Sequence, residues 1–390
     1  MTGAPTRIVD LLRSAPLIDG HNDLLWALRE LWLAGEPTPD VAERCPSLQT
    51  DLPRLRDGGV AAQFWSVYVP SDLDEGTAVT HTLEQIDALR RLIARYPNRL
   101  EHARTAADVE RITARARVAS MIGIEGGHCI GSSLGALRIL AALGAGYLTL
   151  THNDDNPWAD SATGDHSHGG LTRFGEEVVR ELNRCGVLVD CSHVSDDTMR
   201  QAIDVSESPV ISSHSSARAR CDVTRNVPDD VLEVVGRTGG VVMVAFVPTF
   251  VAREGAEVNR AAWAETRRLR AAHPDDPEVV RTAMDVWERA NEQIPASVGD
   301  VADHIDHIRE VAGVDHVGIG SDFDGAPTMP EGLEDVACYP ALFAELAARG
   351  YADEDLAKIA GRNVLGVMRT AEQVAERIQA ERPPSTAIAG

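Results

Sequence analysis

Residues 17–23 read Leu-Ile-Asp-Gly-His-Asn-Asp. A short apolar run enters the segment, and it leaves with His21 and Asp23 two positions apart. In an extended chain, residues i and i+2 point to one face, about 6.5–7 Å apart along the backbone. An imidazole and a carboxylate so placed can converge on one divalent cation through bonds of roughly 2.0–2.2 Å. Chance supplies His-x-Asp often, so its meaning depends on how the rest of the chain is built and on what its other strands end in.

Apolar runs of strand length recur along the chain, separated by helical periodicity. The expected strands are Pro16–His21, Val60–Val69, Val118–Glu125, Ala145–His152, Val187–His193, Pro209–His214, Gly240–Phe246 and His316–Asp322. Helices are expected at 24–33, 75–96, 105–116, 133–143, 172–185, 195–205, 228–238 and 298–312, then at 339–349 and 354–369. Eight strands alternating with helices point to an α/β fold, the (β/α)8 TIM barrel. A doubly wound sheet would show the same alternation, but no Gly-rich dinucleotide fingerprint follows the first strand, and the count of eight favours the barrel. The expected organisation is one barrel domain over 1–370, with a charge-rich helical insertion around 250–313. A short disordered C-terminal tail, 371–390, follows.

Composition narrows the partners. The chain has 390 residues, 44% hydrophobic and 25% charged, the balance of a soluble globular protein. A net charge of −23 repels phosphate backbones and anionic lipid, which argues against nucleic-acid and membrane binding. The N-terminus carries no apolar leader, and no run approaches the roughly 18 apolar residues of a membrane span. Six scattered cysteines (Cys45, Cys129, Cys185, Cys191, Cys221, Cys338) form no Cys-x-x-Cys pair and read as reduced, mostly buried thiols. A cytoplasmic enzyme for a small molecule is expected, with a homodimer left open.

In a barrel the C-terminal strand ends share one rim. Six of the eight expected strands end in a histidine or a carboxylate: His21 with Asp23, Glu125, His152, His193, His214 and Asp322. Two divalent ions about 3.5–4 Å apart need a shared ligand, and such a pair yields a nucleophilic hydroxide near neutral pH. A carbamylated lysine is one such bridge. Here Lys358 is the sole lysine and lies in the terminal helix, so a carboxylate must serve, and Glu125 is the natural choice. Asp322 and Asp324 share a face by strand alternation, so spacing does not choose between them. His166 and His168 look like a metal tag but read as a solvated loop, and Cys191 as a small buried thiol. The Arg/Glu-rich stretch at 253–293 reads as a solvated face, a lid edge or a subunit contact.

These segments resemble the membrane (renal) dipeptidase family, peptidase family M19 of the amidohydrolase superfamily, over nearly the whole chain. The resemblance rests on Ile18–Asp23, Gly123–Gly127, Leu148–Asn153, Asp190–Ser195, Ile211–Ser215, Arg225–Asn226 and Gly318–Gly325. It implies two zinc ions, one held by His21, Asp23 and Glu125 and the other by Glu125, His193 and His214. It implies that His152, Arg225 and Asp322 contact substrate, and it selects Asp322 over Asp324 as the proton shuttle. The implied activity is hydrolysis of dipeptides, L-Xaa-L-Xaa and L-Xaa-D-Xaa, by attack of a metal-bridging hydroxide. Arg225 can grip a C-terminal carboxylate in a bidentate fork, while His152 steadies the oxyanion. Another binuclear amidohydrolase, acting on N-acyl amino acids or lactams, would suit the same residues. A metal-binding barrel without catalysis is the rival of a different class. The best-known relatives are secreted and lipid-anchored, but this sequence shows neither signal nor anchor, so their location is not carried over and the expectation is of a soluble bacterial member.

Overall fold

The structure is a computed structural model and describes residues 6–274, 276–291 and 294–389. All eight expected strands form, with a ninth that the sequence did not suggest. They are β1 (Leu17–Asn22), β2 (Val60–Tyr68), β3 (Leu100–His102), β4 (Val118–Glu125), β5 (Ala145–Thr149), β6 (Leu188–Asp190), β7 (Ile211–Ser212), β8 (Val241–Val244) and β9 (Val317–Ile319). Every pairing is parallel. The order β2-β1-β9-β8-β7-β6-β5-β4 closes through a β2–β4 ladder running from Ala62↔Ala119 to Tyr68↔Glu125. This is a closed (β/α)8 barrel. The additional β3 pairs Leu100–His102 with Val118–Ser120, just before β5 takes over the same edge of β4 at Ile122. Three residues between loops are too few to show a strand period.

Alternation along the strands divides the interior in two. Ile18, Phe64, Met121, Tyr147 and Leu188 belong to one buried cluster. Their neighbours Leu17, Trp65, Ile122, Leu148 and Val189 belong to another, shared with the helices.

The ladders stop short of the expected ends. β5 ends at Thr149 rather than His152, β6 at Asp190 rather than His193, β7 at Ser212 rather than His214, and β9 at Ile319 rather than Asp322. His193 and Asp322 have φ of +64° and +68°, a left-handed conformation that no ladder accommodates. Buried carboxylates replace the ladder there. Asp190 accepts from the backbone N–H of Ser192 and Ser213 and from the hydroxyls of Thr149 and Ser213. Asp19 accepts from the Ser321 N–H and hydroxyl, the Gln63 amide and the Tyr339 hydroxyl. His193, His214 and Asp322 therefore stand on turns that these two carboxylates fasten to the barrel.

Two further boundaries differ. Helix Val298–Val311, capped by Ser297 with Asp300, packs against helices Asp229–Thr238 and Tyr339–Ala348. It is the regular crossover into β9, so the inserted part ends before it and consists of Gly255–Ala272 and Pro277–Asn291 with short connections. At the C-terminus, helix Asn363–Glu381 runs through the expected boundary at 370 because Ala371, Ala375 and Ile378 continue its buried face. Beyond it, Ser385 donates to Glu177 and Glu181, so the expected disordered tail is in part helix and in part tethered.

Candidate metal centre

Each expected donor can be followed from its backbone support to the atom it presents. His21, on β1, has its Nδ1 2.9 Å from the Tyr147 hydroxyl, which itself donates to the Gly20 carbonyl. The hydroxyl thus accepts from Nδ1–H, and Nε2 points into the rim. There it lies 3.1 Å from Asp23, 3.5 Å from Glu125 and 3.8 Å from Asp322. His214 has its Nδ1 2.8 Å from Ser213 Oγ, which donates to Asp190, so this Nδ1 also carries the proton. His193 Nδ1 lies 3.2 Å from Asn153 Oδ1, an acceptor. In all three rings a neighbour assigns the tautomer that leaves Nε2 free to bind a cation.

Glu125 ends β4 and is buried. Its Oε2 takes a hydrogen bond from Ser66 and faces His21. Its Oε1 faces His193 at 3.2 Å, His214 at 3.6 Å and His152 at 3.7 Å. Gly126, at φ +101°, turns the chain away immediately afterwards; a β-carbon there would collide with the His128 ring. The donor atoms gather into three overlapping triads: His21–Glu125–His214, Glu125–His152–His193 and His21–Asp23–Asp322.

The electrostatics match cation binding. Burial holds His193 and His214 well below the ordinary imidazole value, with Arg225 and other imidazoles adding to it. Burial opposes charge on His21 as well, yet Tyr147, Glu125 and Asp23 together raise its pKa well above 6.5. Glu125 is kept ionised against its burial chiefly by His21. The buried carboxylate thus already draws positive charge to the spot where His21 Nε2 sits. Imidazole and carboxylate donors with fixed outer partners suit a borderline divalent cation.

Asp322 and Asp324 separate here. Asp322 lines the cavity, and burial with the neighbouring Asp23 and Glu125 pushes it up to about 7, although His21 works against this. Asp324 turns to the 49–50 loop, where its Oδ1 accepts from the Gln49 N–H. Gly325 makes the approach of Asp23 and Asp322 feasible, since a β-carbon would meet both carboxylates. His152 lines the same cavity; burial lowers it to about 4, and its Nδ1 has no hydrogen-bond partner. Arg225 is 2% exposed. It reaches only Ser215 Oγ at 3.5 Å and the His214 carbonyl at 3.3 Å, its Nε is unpartnered, and it lies over the Phe250 ring. Among the described residues no carboxylate pairs with it. His166 and His168 are exposed and belong to none of the triads.

Sequence reasoning missed the supporting residues Tyr147, Ser213, Asn153 and Ser66. Only Asn153 left a trace: His152-Asn153-Asp154 repeats the His21-Asn22-Asp23 pattern. The inserted helices, read as a solvated face, a lid edge or a subunit contact, line the cavity of about 410 Å³ above the donors, as a lid edge would.

A (β/α)8 barrel with imidazoles and carboxylates converging on its C-terminal rim defines a metal-dependent hydrolase. Residues 6–382 match the family described as membrane dipeptidase (peptidase family M19). The chain is 41% identical to mouse (Mus musculus) dipeptidase 3 over 379 residues, covering 96% of this chain and 68% of that protein. A metallopeptidase from Rhodobacter sphaeroides, liganded with a phosphinate mimic of the dipeptide L-Ala-D-Ala, superposes with a TM-score of 0.75 at 26% identity. That match covers 91% of this chain and 99% of the other. A dipeptidase AC of family M19 gives the same TM-score at 27% identity, over 91% and 98% of the two chains. The chain belongs to the membrane dipeptidase family and is a metallo-dipeptidase of it. No described helix is long and apolar enough to cross a membrane.

Proposed function

We propose that the chain hydrolyses free dipeptides, L-Xaa-L-Xaa and L-Xaa-D-Xaa, with two zinc ions bridged by Glu125. His21 and Asp23 complete one ion's protein ligands, and His193 and His214 the other's. The observation that carries the reading is Arg225: a buried guanidinium without an anionic partner among the described residues, in the wall of the donor-lined cavity. An unpaired buried cation is costly, and the carboxylate of a bound dipeptide removes that cost through a charge-assisted fork.

When bound, the two ions supply Lewis acidity and a water ionised near neutral pH. The chain's own groups do the rest. Arg225 fixes the carboxylate end and so the register of the peptide bond. His152, neutral at pH 7, offers an N–H to the substrate carbonyl oxygen as charge builds there. Asp322 accepts the proton released by the attacking water and delivers it to the departing amine nitrogen as the C–N bond breaks. The mimic of L-Ala-D-Ala carried by the Rhodobacter relative supports a D-residue at the second position. A cytoplasmic setting is part of the proposal; six cysteines without a disulfide suit a reducing compartment.

The test is a kinetic screen of L,L- and L,D-dipeptides against N-acyl amino acids. Turnover of dipeptides with little or none of the acylated set is expected. Preference for the acylated set would instead favour a different amidohydrolase.

A further inference from the structure

The inserted segment is rich in charge, yet the face it turns to the cavity carries none among its described residues. From helix Gly255–Ala272 the lining comprises Val258, Asn259, Ala262, Trp263 and Thr266. These positions recur at i, i+1, i+4, i+5 and i+8, one side of a helix. From helix Pro277–Asn291 it comprises Met284, Trp287 and Asn291, again on one side. Met284 also packs with Leu269 and Val280, with Ala262 and Trp287 against them, in a small core that joins the two helices. Ala262, Met284 and Trp287 therefore both hold the two helices together and face the cavity.

Its position is tied to the barrel rim. Arg270 pairs with Asp154, which also accepts from Ser71 at 2.6 Å, and Arg281 pairs with Asp72 at 3.2 Å. Asp154 lies one residue beyond Asn153, the partner of His193. Floor and roof differ in charge: imidazoles, carboxylates and a guanidinium below, two indoles and a thioether with the uncharged Asn259, Thr266 and Asn291 above.

Resting on the dipeptidase reading, we propose that Trp263, Met284 and Trp287 form a side-chain subsite that selects dipeptides with a large apolar or aromatic side chain. The reacting bond and both backbone ends need the polar floor, so the side chain is the part of a dipeptide left to meet the roof. Apolar side chains gain by leaving water against indole and thioether surfaces. A charged side chain would lose its hydration and find no ion-pair partner among the described roof residues.

The test compares kcat/KM of the metal-loaded protein for L-Ala-L-Ala, L-Leu-L-Ala, L-Ala-L-Phe and L-Ala-L-Asp, in the wild type and in Trp263→Ala, Trp287→Ala and Trp287→Phe. In the wild type, at least one of the Leu and Phe substrates should exceed Ala-Ala by roughly tenfold, the scale of burying a side chain of that size, and the Asp substrate should be poorest. The large-to-small ratio should fall roughly tenfold in an alanine variant and largely survive in Trp287→Phe. Ratios are read within each protein, so partial loss of folded enzyme does not enter. Equal wild-type rates for Ala-Ala and the larger substrates, or unchanged ratios in both alanine variants, would overturn the subsite while leaving the dipeptidase reading intact. A wild type that cleaves none of the four would overturn both.

Discussion

The Nε2 atoms of His193 and His214 face each other at 2.8 Å. Both Nδ1 protons are already committed, to Asn153 and to Ser213, so two lone pairs oppose each other beside Glu125 Oε1. Such a contact is repulsive unless a positive charge lies between or near them, and a divalent cation satisfies both rings and the carboxylate together. Replacing Ser213 by alanine removes the group that holds the His214 tautomer. Metal affinity should fall about 10–100-fold, the usual cost of losing an outer partner, while the fold is kept. Competition against a chromophoric chelator measures this; unchanged affinity would contradict the role given to Ser213.

Arg225 is expected to act on substrate rather than on the fold. Arg225→Met should lower kcat/KM for dipeptides by roughly 30-fold or more, the scale of losing one partner of a buried charge pair. Thermal stability of the ligand-free protein should hold or rise, because a buried cation without a carboxylate is removed. Steady-state kinetics beside a melting curve checks both; a large fall in melting temperature would show that Arg225 is structural.

Asp322→Asn keeps the shape and removes the proton acceptor. A fall in kcat of about 10²–10⁴-fold, the range for general acid–base catalysis, should accompany unchanged metal content and little change in KM. Full turnover with both metals retained would remove Asp322 from the proton path.

His304 gives a pH dependence apart from the metal centre. It is fully buried, accepts from the Ala217 N–H through Nδ1 and donates through Nε2 to the Val251 carbonyl, and burial lowers it to about 4. The unfolded chain binds the proton near pH 6.5 and the folded chain does not, so stability is full above about 6.5 and declines as pH falls toward 4. The loss attributable to this one group should reach about 2 kcal/mol at pH 5. His304→Gln should be less stable than wild type at pH 7.5, with the gap narrowing by about that amount at pH 5. Urea denaturation at the two pH values reads the difference; a constant gap would contradict it.

The donors were legible in the sequence because a barrel makes strand ends neighbours, so His21, Glu125, His152, His193, His214 and Asp322 could be grouped without coordinates. The way they are held was not. His193 and Asp322 occupy left-handed turns, and periodicity ran the strands straight through them. Tyr147 and Asn153 reach their histidines from distant parts of the chain and Ser213 from the adjacent position; such individual hydrogen bonds leave no period to detect. For the inserted helices the sequence left three readings open, a solvated face, a lid edge or a subunit contact, and did not choose among them. Their Arg and Glu residues dominate composition, whereas Trp263, Met284 and Trp287 reveal a buried side only once the helices are seen over the cavity. Asp322 and Asp324 share nearly the same left-handed φ, +68° and +64°, so neither residue type nor backbone conformation separates them; only their surroundings do, the cavity for Asp322 and the Gln49 N–H for Asp324.

Stepwise reconstitution tests the central claim most directly. Protein stripped of metal is titrated with zinc while hydrolysis of L-Ala-L-Ala and L-Ala-D-Ala is followed by the amino acids released. Activity should be negligible in the stripped protein and rise until two equivalents are bound, with both dipeptides cleaved. Full turnover without metal, saturation at one equivalent, or no cleavage of either dipeptide by the doubly loaded protein would contradict a zinc-bridged dipeptidase centred on Glu125.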